Sequence, residues 1–302
     1  MMSEPTLHWG AEALWQQLAP LLPGLSVEVV PSTMSTNSTL LDRARLLPQA
    51  ASGGDVLRRP SVESAAFGRR AIDVQPCLLV AEQQLAGRGR QGRAWQSDAG
   101  ASLTFSLGLP LDAPDWSGLS LAVGVALCEA LDPPRADNAC GLRIGLKWPN
   151  DLWLIAGTAQ APANGRKLGG ILIETVAAGS LRLAIIGIGL NVLPFDTDAV
   201  NTGFASLSEL DPDASAPNVL SRLALPLVQA LKQFEREGFA AFADRFAARD
   251  LLRDQPVRTT LVDAPEGIAR GISASGALML QTPAGMTTVS SGEVSVRPSN
   301  RP

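Results

Sequence analysis

The sequence predicts an α+β fold, a mixed β-sheet with helices, followed by a small C-terminal β-barrel. Apolar, β-branched runs at Cys77 to Ala81, Ala101 to Leu109, Lys167 to Val176 and Leu181 to Val192 read as strands. Stretches with helical spacing, Leu119 to Leu131 and Val219 to Phe234 among them, lie between and after these runs. From about Gln255 the texture changes to short strand candidates cut by turns, VRTTLV, GIARGIS, ALMLQT and MTTVSSGEVSVR, the pattern of a small antiparallel barrel. At 302 residues the chain accommodates one large unit and one small one. The boundaries read as 1–29 for an N-terminal helical segment, 30–250 for the main domain and 255–302 for the barrel.

Along the chain, Ala11, Leu14, Trp15, Leu18, Leu21 and Leu22 recur at helical spacing, so the N-terminal segment is expected to form one amphipathic helix ending near Pro23, with His8 inside it. Ser35, Thr36 and Asn37 are cap-type residues ahead of Leu40, Leu41 and Leu46, which predicts a second helix. Pro48 to Arg70, rich in Gly, Ser, Ala and Arg without periodicity, reads as an exposed, disordered insertion. Leu119 to Leu131 is a small-residue helix interrupted by Gly124, and Ile144 to Trp148 is a short strand. The runs Lys167 to Val176 and Leu181 to Val192 are joined by Ala177-Ala178-Gly179-Ser180, a hairpin signal. Gly238 to Ala247 is expected to be helical, with Phe239, Phe242 and Phe246 as a core stripe.

Composition excludes several classes of function. Hydrophobic residues make up 46% and charged residues 18%, so the chain is globular and not disordered. No apolar run reaches the ~18 residues that cross a bilayer, and the first 20 residues lack a signal-peptide pattern, which points to the cytoplasm and away from membranes. Cys77, Cys128 and Cys140 are too few and too widely spaced for a disulfide framework or a zinc set, so they are expected as buried thiols. His8 is the only histidine and there is no tyrosine, which removes Ser-His-Asp and Cys-His machinery and histidine metal sites. Catalysis must rely on lysine, arginine, carboxylates or bound Mg²⁺.

The most informative stretch is Ala81 to Trp95, AEQQLAGRGRQGRAW. Arg88, Arg90 and Arg93 carry guanidinium forks suited to phosphate oxygens, and Gly87, Gly89 and Gly92 let the backbone close around a ligand. G87-R-G-R-Q-G92 has the glycine spacing of a dinucleotide fingerprint, but a second strand follows it where that motif needs a helix. On a chain of net charge -4 the arginines form a local anion clamp for a small target and not a nucleic-acid-binding face.

Five motifs in order, MSTN ending at Asn37, the arginine loop, LKWPNDL at Leu146 to Leu152, RKLGGILIE at Arg166 to Glu174 and GIGLNV at Gly187 to Val192, together resemble the biotin protein ligases, as does the closing pattern GISASGALMLQT…SGEVSVR. The resemblance implies the class II synthetase-like catalytic domain of that family with a C-terminal SH3-like barrel. It implies that biotin and Mg-ATP give biotinyl-5′-AMP, from which biotin passes to a lysine of a biotin carboxyl carrier protein. Lys147 would contact the biotin carboxylate and the phosphate, and Arg88, Gly89 and Arg90 would line both as a lid. Ser35, Thr36, Asn37 and Gln84 would bond the ureido head group, and Gly169 and Gly170 would let backbone approach biotin. Arg93, Trp95, Asn150, Lys167 and Asn191 would meet the adenylate. Asp151 and Glu174 are the nearest carboxylates, and either could hold Mg²⁺ or relieve the acceptor amine of a proton. Only about 30 residues precede MSTN, without a recognition helix, so no DNA partner is expected; a homodimer stays open. The rival readings are a lipoate protein ligase and a non-catalytic biotin- or DNA-binding regulator.

Overall fold

In the computed structural model of the chain, residues 7–45, 65–67, 74–133, 141–156, 165–178, 181–196, 203–290 and 296–299 are described. Helix α1 (Ala11–Leu18) is followed by strand β1 (Ser26–Thr33), helix α2 (Thr36–Arg45) and the short strand β2 (Ala65–Phe67). Strand β3 (Cys77–Gln84) leads into the hairpin of β4 (Gly87–Arg88) and β5 (Ala94–Trp95), then β6 (Ser102–Pro110) and helix α3 (Leu119–Leu131). Strands β7 (Leu142–Lys147), β8 (Asp151–Ala156), β9 (Arg166–Ala178) and β10 (Leu181–Asn191) come next, with helices α4 (Ala216–Glu237) and α5 (Ala243–Ala247) behind them.

Eight of these strands make one mixed sheet in the order β2-β1-β3-β6-β10-β9-β8-β7. Its one parallel pair is β1 with β3, joined by a crossover that contains α2. Helices cover both faces. Leu40 and Leu41 of α2 pack with Cys77, Leu79 and Ile185 on one side, while α1, α3 and α4 close the large core on the other. Because β3 and β6 are enclosed on both faces, they read as nearly continuous apolar runs without alternation. The C-terminal strands β11 (Pro256–Thr259), β12 (Glu266–Ile272), β13 (Leu278–Thr282), β14 (Gly285–Val289) and β15 (Val296–Pro298) form a separate antiparallel sheet in the order β14-β13-β12-β11-β15 around Val257, Ala269, Leu278, Leu280, Val289 and Val296. The α+β class and the small closing unit are as the sequence predicts.

Local differences have local causes. α1 stops at Leu18, short of Pro23, because Pro20 has no N–H to continue the ladder; the N–H groups of Leu21 and Leu22 both turn back to the Leu18 carbonyl. His8 lies ahead of the helix, exposed. Gly124 does not interrupt α3; a Cβ there would press to 2.9 Å from Leu146 Cδ2, so the glycine lets helix and sheet approach. Gly238, at φ 63°, ends α4, and the next segment begins as a 3-10 turn over Phe239–Phe242 before α5. Phe239, Phe242 and Phe246 are nonetheless all buried.

The hairpin of β9 and β10 is antiparallel, with Ala178 opposite Leu181, and its turn at 179–180 lies outside the described residues. Within the segment read as a disordered insertion, residues 65–67 instead form an edge strand on β1; the rest lies outside the described residues. Cys77 and Cys128 are buried thiols, Cys77 donating to Glu28 Oε1 at 3.2 Å, and burial pushes Cys128 up to about 12; Cys140 lies outside the described residues. Among the described residues no helix is long and apolar enough to cross a membrane.

Behind the Lys147 strand, burial raises the Asp250 carboxyl to about 6, against the hydrogen bond it accepts from the Leu252 N–H at 2.9 Å. A carboxyl raised in the fold is favoured there in its neutral form, so its stabilising effect is present below the unfolded value near 4 and is lost as pH rises through 6. Asp250→Asn, which keeps the acceptor, is expected to raise stability at pH 7 by up to about 3 kcal/mol and to have little effect at pH 4, read from urea unfolding at the two pH values.

Candidate functional site

One cavity of about 460 Å³ opens at the ends of β3, β7, β9 and β10 under the β4–β5 hairpin, a size suited to a small organic ligand. At its base β7 and β8 pair so that Lys147 stands opposite Asp151, and the Trp148-Pro149-Asn150 turn joins them through a cis Trp148–Pro149 bond. The Asp151 carboxylate lies 3.6 Å from Lys147 Nζ and 2.7 Å from Lys167 Nζ on β9. Burial raises Asp151, but Lys167 and Lys147 together outweigh it and hold the carboxyl below its usual range. Burial lowers Lys147, Asp151 opposes that shift, and Lys167 adds to it. Lys147 is therefore not a surface lysine beside a turn: its side chain is 10% exposed, against 30% for Lys167, which is the more open of the two to the cavity.

The lysine turn is clamped from three sides. Ser120 Oγ in α3 donates to the Pro149 carbonyl at 2.9 Å, Asn150 Nδ2 donates to Ile171 O at 2.7 Å, and the buried Trp148 indole donates to Gly276 O at 3.0 Å in the β12–β13 turn of the C-terminal unit. Trp148 thus ties the turn to the closing unit.

The arginine loop folds back on itself with no helix after it. Gly87 allows this, since a Cβ would run into the Trp95 carbonyl, and Gln91 and Gly92 sit at φ 57° and 69° to turn the chain. Arg90 Nη1 donates to Asn150 Oδ1 at 3.3 Å, which puts the loop over the lysine turn; burial lowers its pKa, with Asp151 opposing. Arg93 bonds Gln91 Oε1 at 3.1 Å and lines the same cavity. Arg88 pairs with Glu174 at 3.0 Å.

The far end is neutral and polar. Gln84 Oε1 accepts from the Thr36 N–H at 2.7 Å and from its hydroxyl at 3.2 Å. Buried Ser106 lies 2.6 Å from both Thr36 Oγ1 and Asn37 Oδ1. Asn37 Nδ2 donates to Leu172 O and to Glu174 Oε2. Asn37 lines the cavity but has its amide committed to protein partners, which makes it a scaffold more than a ligand contact. Ser35, also in the lining, caps the first turn of α2 through a 3.5 Å contact from the Ser38 N–H.

The glycines of the facing strands divide. Gly170 borders the cavity beside Asp151 and Lys167, and Gly187 and Gly189 leave room for Asn37 and the Trp95 ring. Gly169 departs from expectation: it is not in the lining, and a Cβ there would meet Gly189 O at 2.6 Å, so its role is close strand packing. Asn191 borders the cavity while donating to Ala205 O at 3.0 Å. Trp95 lies over Gly189 with Lys167 Nζ at 5.9 Å from its ring, and its buried indole N–H has no hydrogen-bond acceptor among the described residues.

Neither carboxylate fits a metal site. Asp151 already bears two ammonium groups, Glu174 is outside the cavity lining and bound to Arg88 and Asn37, and no group of three or more His, Cys, Asp or Glu side chains among the described residues could hold an ion.

Sequence reasoning missed Ser106, Phe195, Phe204 and Arg297. Ser102, Thr104 and Ser106 share one face of β6 by strand alternation and are all buried, a polar row inside an apolar run that was a readable signal. Arg297 enters the cavity wall from β15, and nothing local in the sequence announces that.

Residues 72–191 match the biotin/lipoate A/B protein ligase family and residues 254–297 match the biotin protein ligase C-terminal domain. A biotin--[acetyl-CoA-carboxylase] ligase of Mycobacterium tuberculosis is 33% identical over 296 residues, covering 94% of this chain and 91% of that protein. The chain belongs to the biotin protein ligase family. The bifunctional ligase/repressor BirA of Escherichia coli is another relative of this ligase, 33% identical over 93% of the chain and 77% of BirA. Among solved structures, the biotin protein ligase of Aquifex aeolicus in complex with biotin and ATP superposes with a TM-score of 0.65 at 25% identity, over 90% of this chain and 99% of that one.

Trp148→Phe keeps an aromatic side chain, smaller than the indole, and removes the bond to Gly276 O. It is expected to cost about 1–3 kcal/mol through the unsatisfied buried carbonyl, read as a lowered midpoint in thermal or denaturant unfolding.

Proposed function

We infer that this ligase joins biotin to ATP as biotinyl-5′-AMP and transfers it to a specific lysine of a biotin carboxyl carrier protein of the acetyl-CoA carboxylase type. The observation that carries the reading is the charge layout of one cavity. A neutral polar end at Thr36 and Gln84 faces a cationic end at Lys147, Lys167, Arg90 and Arg93. A ureido ring with donors and acceptors suits the first, and a carboxylate beside a triphosphate suits the second. The match to the biotin ligase C-terminal domain favours biotin over lipoate.

In the first step a biotin carboxylate oxygen attacks the α-phosphorus of ATP, an O–P bond forms, and the bond to the leaving pyrophosphate breaks. Two like charges ~4 Å apart repel by about 4 kcal/mol at an effective dielectric of ~20, so fixed cations between the reactants lower the barrier. Lys147 is assigned to that position, with Lys167 as the second cation on the same carboxylate. Asp151 aims both. Arg88 and Arg90 close the loop over the adenylate and Arg93 meets phosphate; Trp95, Asn150 and Asn191 border the nucleotide, and the biotin ring lies against Ser35, Thr36, Gln84, Gly89 and Gly170. Magnesium comes with ATP, held by its phosphates. In the second step the acceptor lysine nitrogen attacks the acyl carbon, the C–O bond to AMP breaks, and the amine proton leaves to solvent. In this reading 30–250 is the catalytic domain, 1–29 the helical segment ahead of it and 255–302 the C-terminal unit, whose Val296 and Arg297 border the cavity, and the reaction is a cytoplasmic one.

Incubation with biotin or lipoate, ATP and a carrier domain, followed by mass analysis, tests the reading; a carrier that gains lipoyl mass, or no mass at all, rejects it. Lys147→Ala is expected to lower the rate of pyrophosphate release by about 10² to 10³. If Lys167→Ala alone brings that loss and Lys147→Ala does not, the bridging role moves to Lys167. Arg90→Gly is expected to speed escape of the adenylate into solution, measured after rapid gel filtration.

A further inference from the structure

Glu174 is a partly exposed carboxylate without a place in the chemistry above, yet it makes more directed contacts than a surface acid needs. Its Oε1 accepts from Arg88 Nη2 at 3.0 Å, and its Oε2 accepts from Arg88 Nη1 at 3.4 Å and from Asn37 Nδ2 at 3.0 Å. Arg88 Nη1 also reaches Ser38 Oγ at 3.2 Å. Beyond Asn37 the chain of bonds runs through Ser106 to Thr36 and Gln84, at the neutral end of the cavity. One carboxylate thus connects the arginine loop, 86 residues away in sequence, with the first turn of α2, 137 residues away. A forked pair of this kind holds direction as well as position.

We propose that Glu174 is a positioning residue that latches the arginine loop through Arg88 and links that latch, through Asn37, to the pocket that would receive the biotin head group. The proposal rests on the functional reading above. Glu174 touches neither reactant. Its carboxylate fixes where the Arg88 fork and the Asn37 amide sit, so that a loop held at Arg90 by Asn150 is held at Arg88 as well. The consequence is kinetic: the latch slows escape of the activated intermediate before an acceptor arrives.

The test uses the full chain, the isosteric Glu174→Gln variant, Arg88→Gln and the double variant. Each is loaded with biotin and ATP and separated from free ligand, and retained biotinyl-5′-AMP is followed by mass against time. Glu174→Gln is expected to speed escape about tenfold with an unfolding midpoint close to the parent's. In the Arg88→Gln background the same change is expected to add nothing, because the two groups act as one contact. Escape at the parent rate in Glu174→Gln, or multiplying effects in the double variant, would overturn the latch. So would a tenfold loss of transfer from preformed adenylate at saturating carrier with escape unchanged, which would make Glu174 a participant in the chemistry. If the parent itself accumulates no adenylate, the functional reading fails first, and that result is distinct from the others.

Discussion

The arrangement depends on one carboxylate between two ammonium groups. Two lysines brought to the same end of a partly dehydrated cavity repel each other, and burial, with Lys167 adding to it, drives Lys147 toward its neutral form. Asp151 makes the pair tolerable and fixes where both point, leaving the trio with one net positive charge. That charge, with the loop guanidiniums, is what two anionic reactants meet. A buried ion pair is weak support for stability, since desolvation offsets most of the attraction. Its value here lies in pre-arranged direction, because dipoles and charges already in place need no reorganisation when the reacting groups come together.

The space for those reactants exists because the sheet lacks side chains where it meets them. Alternation on a strand places Gly187 and Gly189 on one face, and that face receives Asn37 and Trp95. The same alternation separates Gly169 from Gly170. Adjacent strand residues point oppositely, so only one of them can border the cavity while the other lets neighbouring strands close up. The lysine turn is braced by α3, by β9 and by the closing unit through Trp148, so the charged end is held from three elements distant in sequence.

Much of this is legible in the amino-acid sequence. Strands β3, β6, β9 and β10, helices α3 and α4 and the closing sheet announced themselves through run length, periodicity and turn residues, and the arginine loop through its glycines. The less legible parts depend on partners distant in sequence. Glu174 looked like a metal ligand or a base as long as only its proximity to a motif was known; Arg88 and Asn37 give it a different use. Ser106 was hidden inside an apolar run, and Arg297 arrives from a strand at the far end of the chain. The end of α1 and the strand at residues 65–67 turned on local hydrogen bonding that hydrophobic patterning does not capture.

The amino-acid sequence by itself determined the fold class, the motif order that resembles the biotin ligases, the exclusion of histidine- and cysteine-based catalysis, and the residue types gathered for anions. These are properties of composition, spacing and backbone permissiveness, which act over a few neighbouring residues. Only the tertiary structure decided which lysine is buried and which opens to the cavity, that Asp151 belongs to the lysines and Glu174 to the loop, and that the closing unit holds the lysine turn. Those outcomes depend on distances between groups far apart in the chain, where Coulomb interaction, desolvation and hydrogen-bond geometry change over a few ångströms and leave no periodic trace in the sequence.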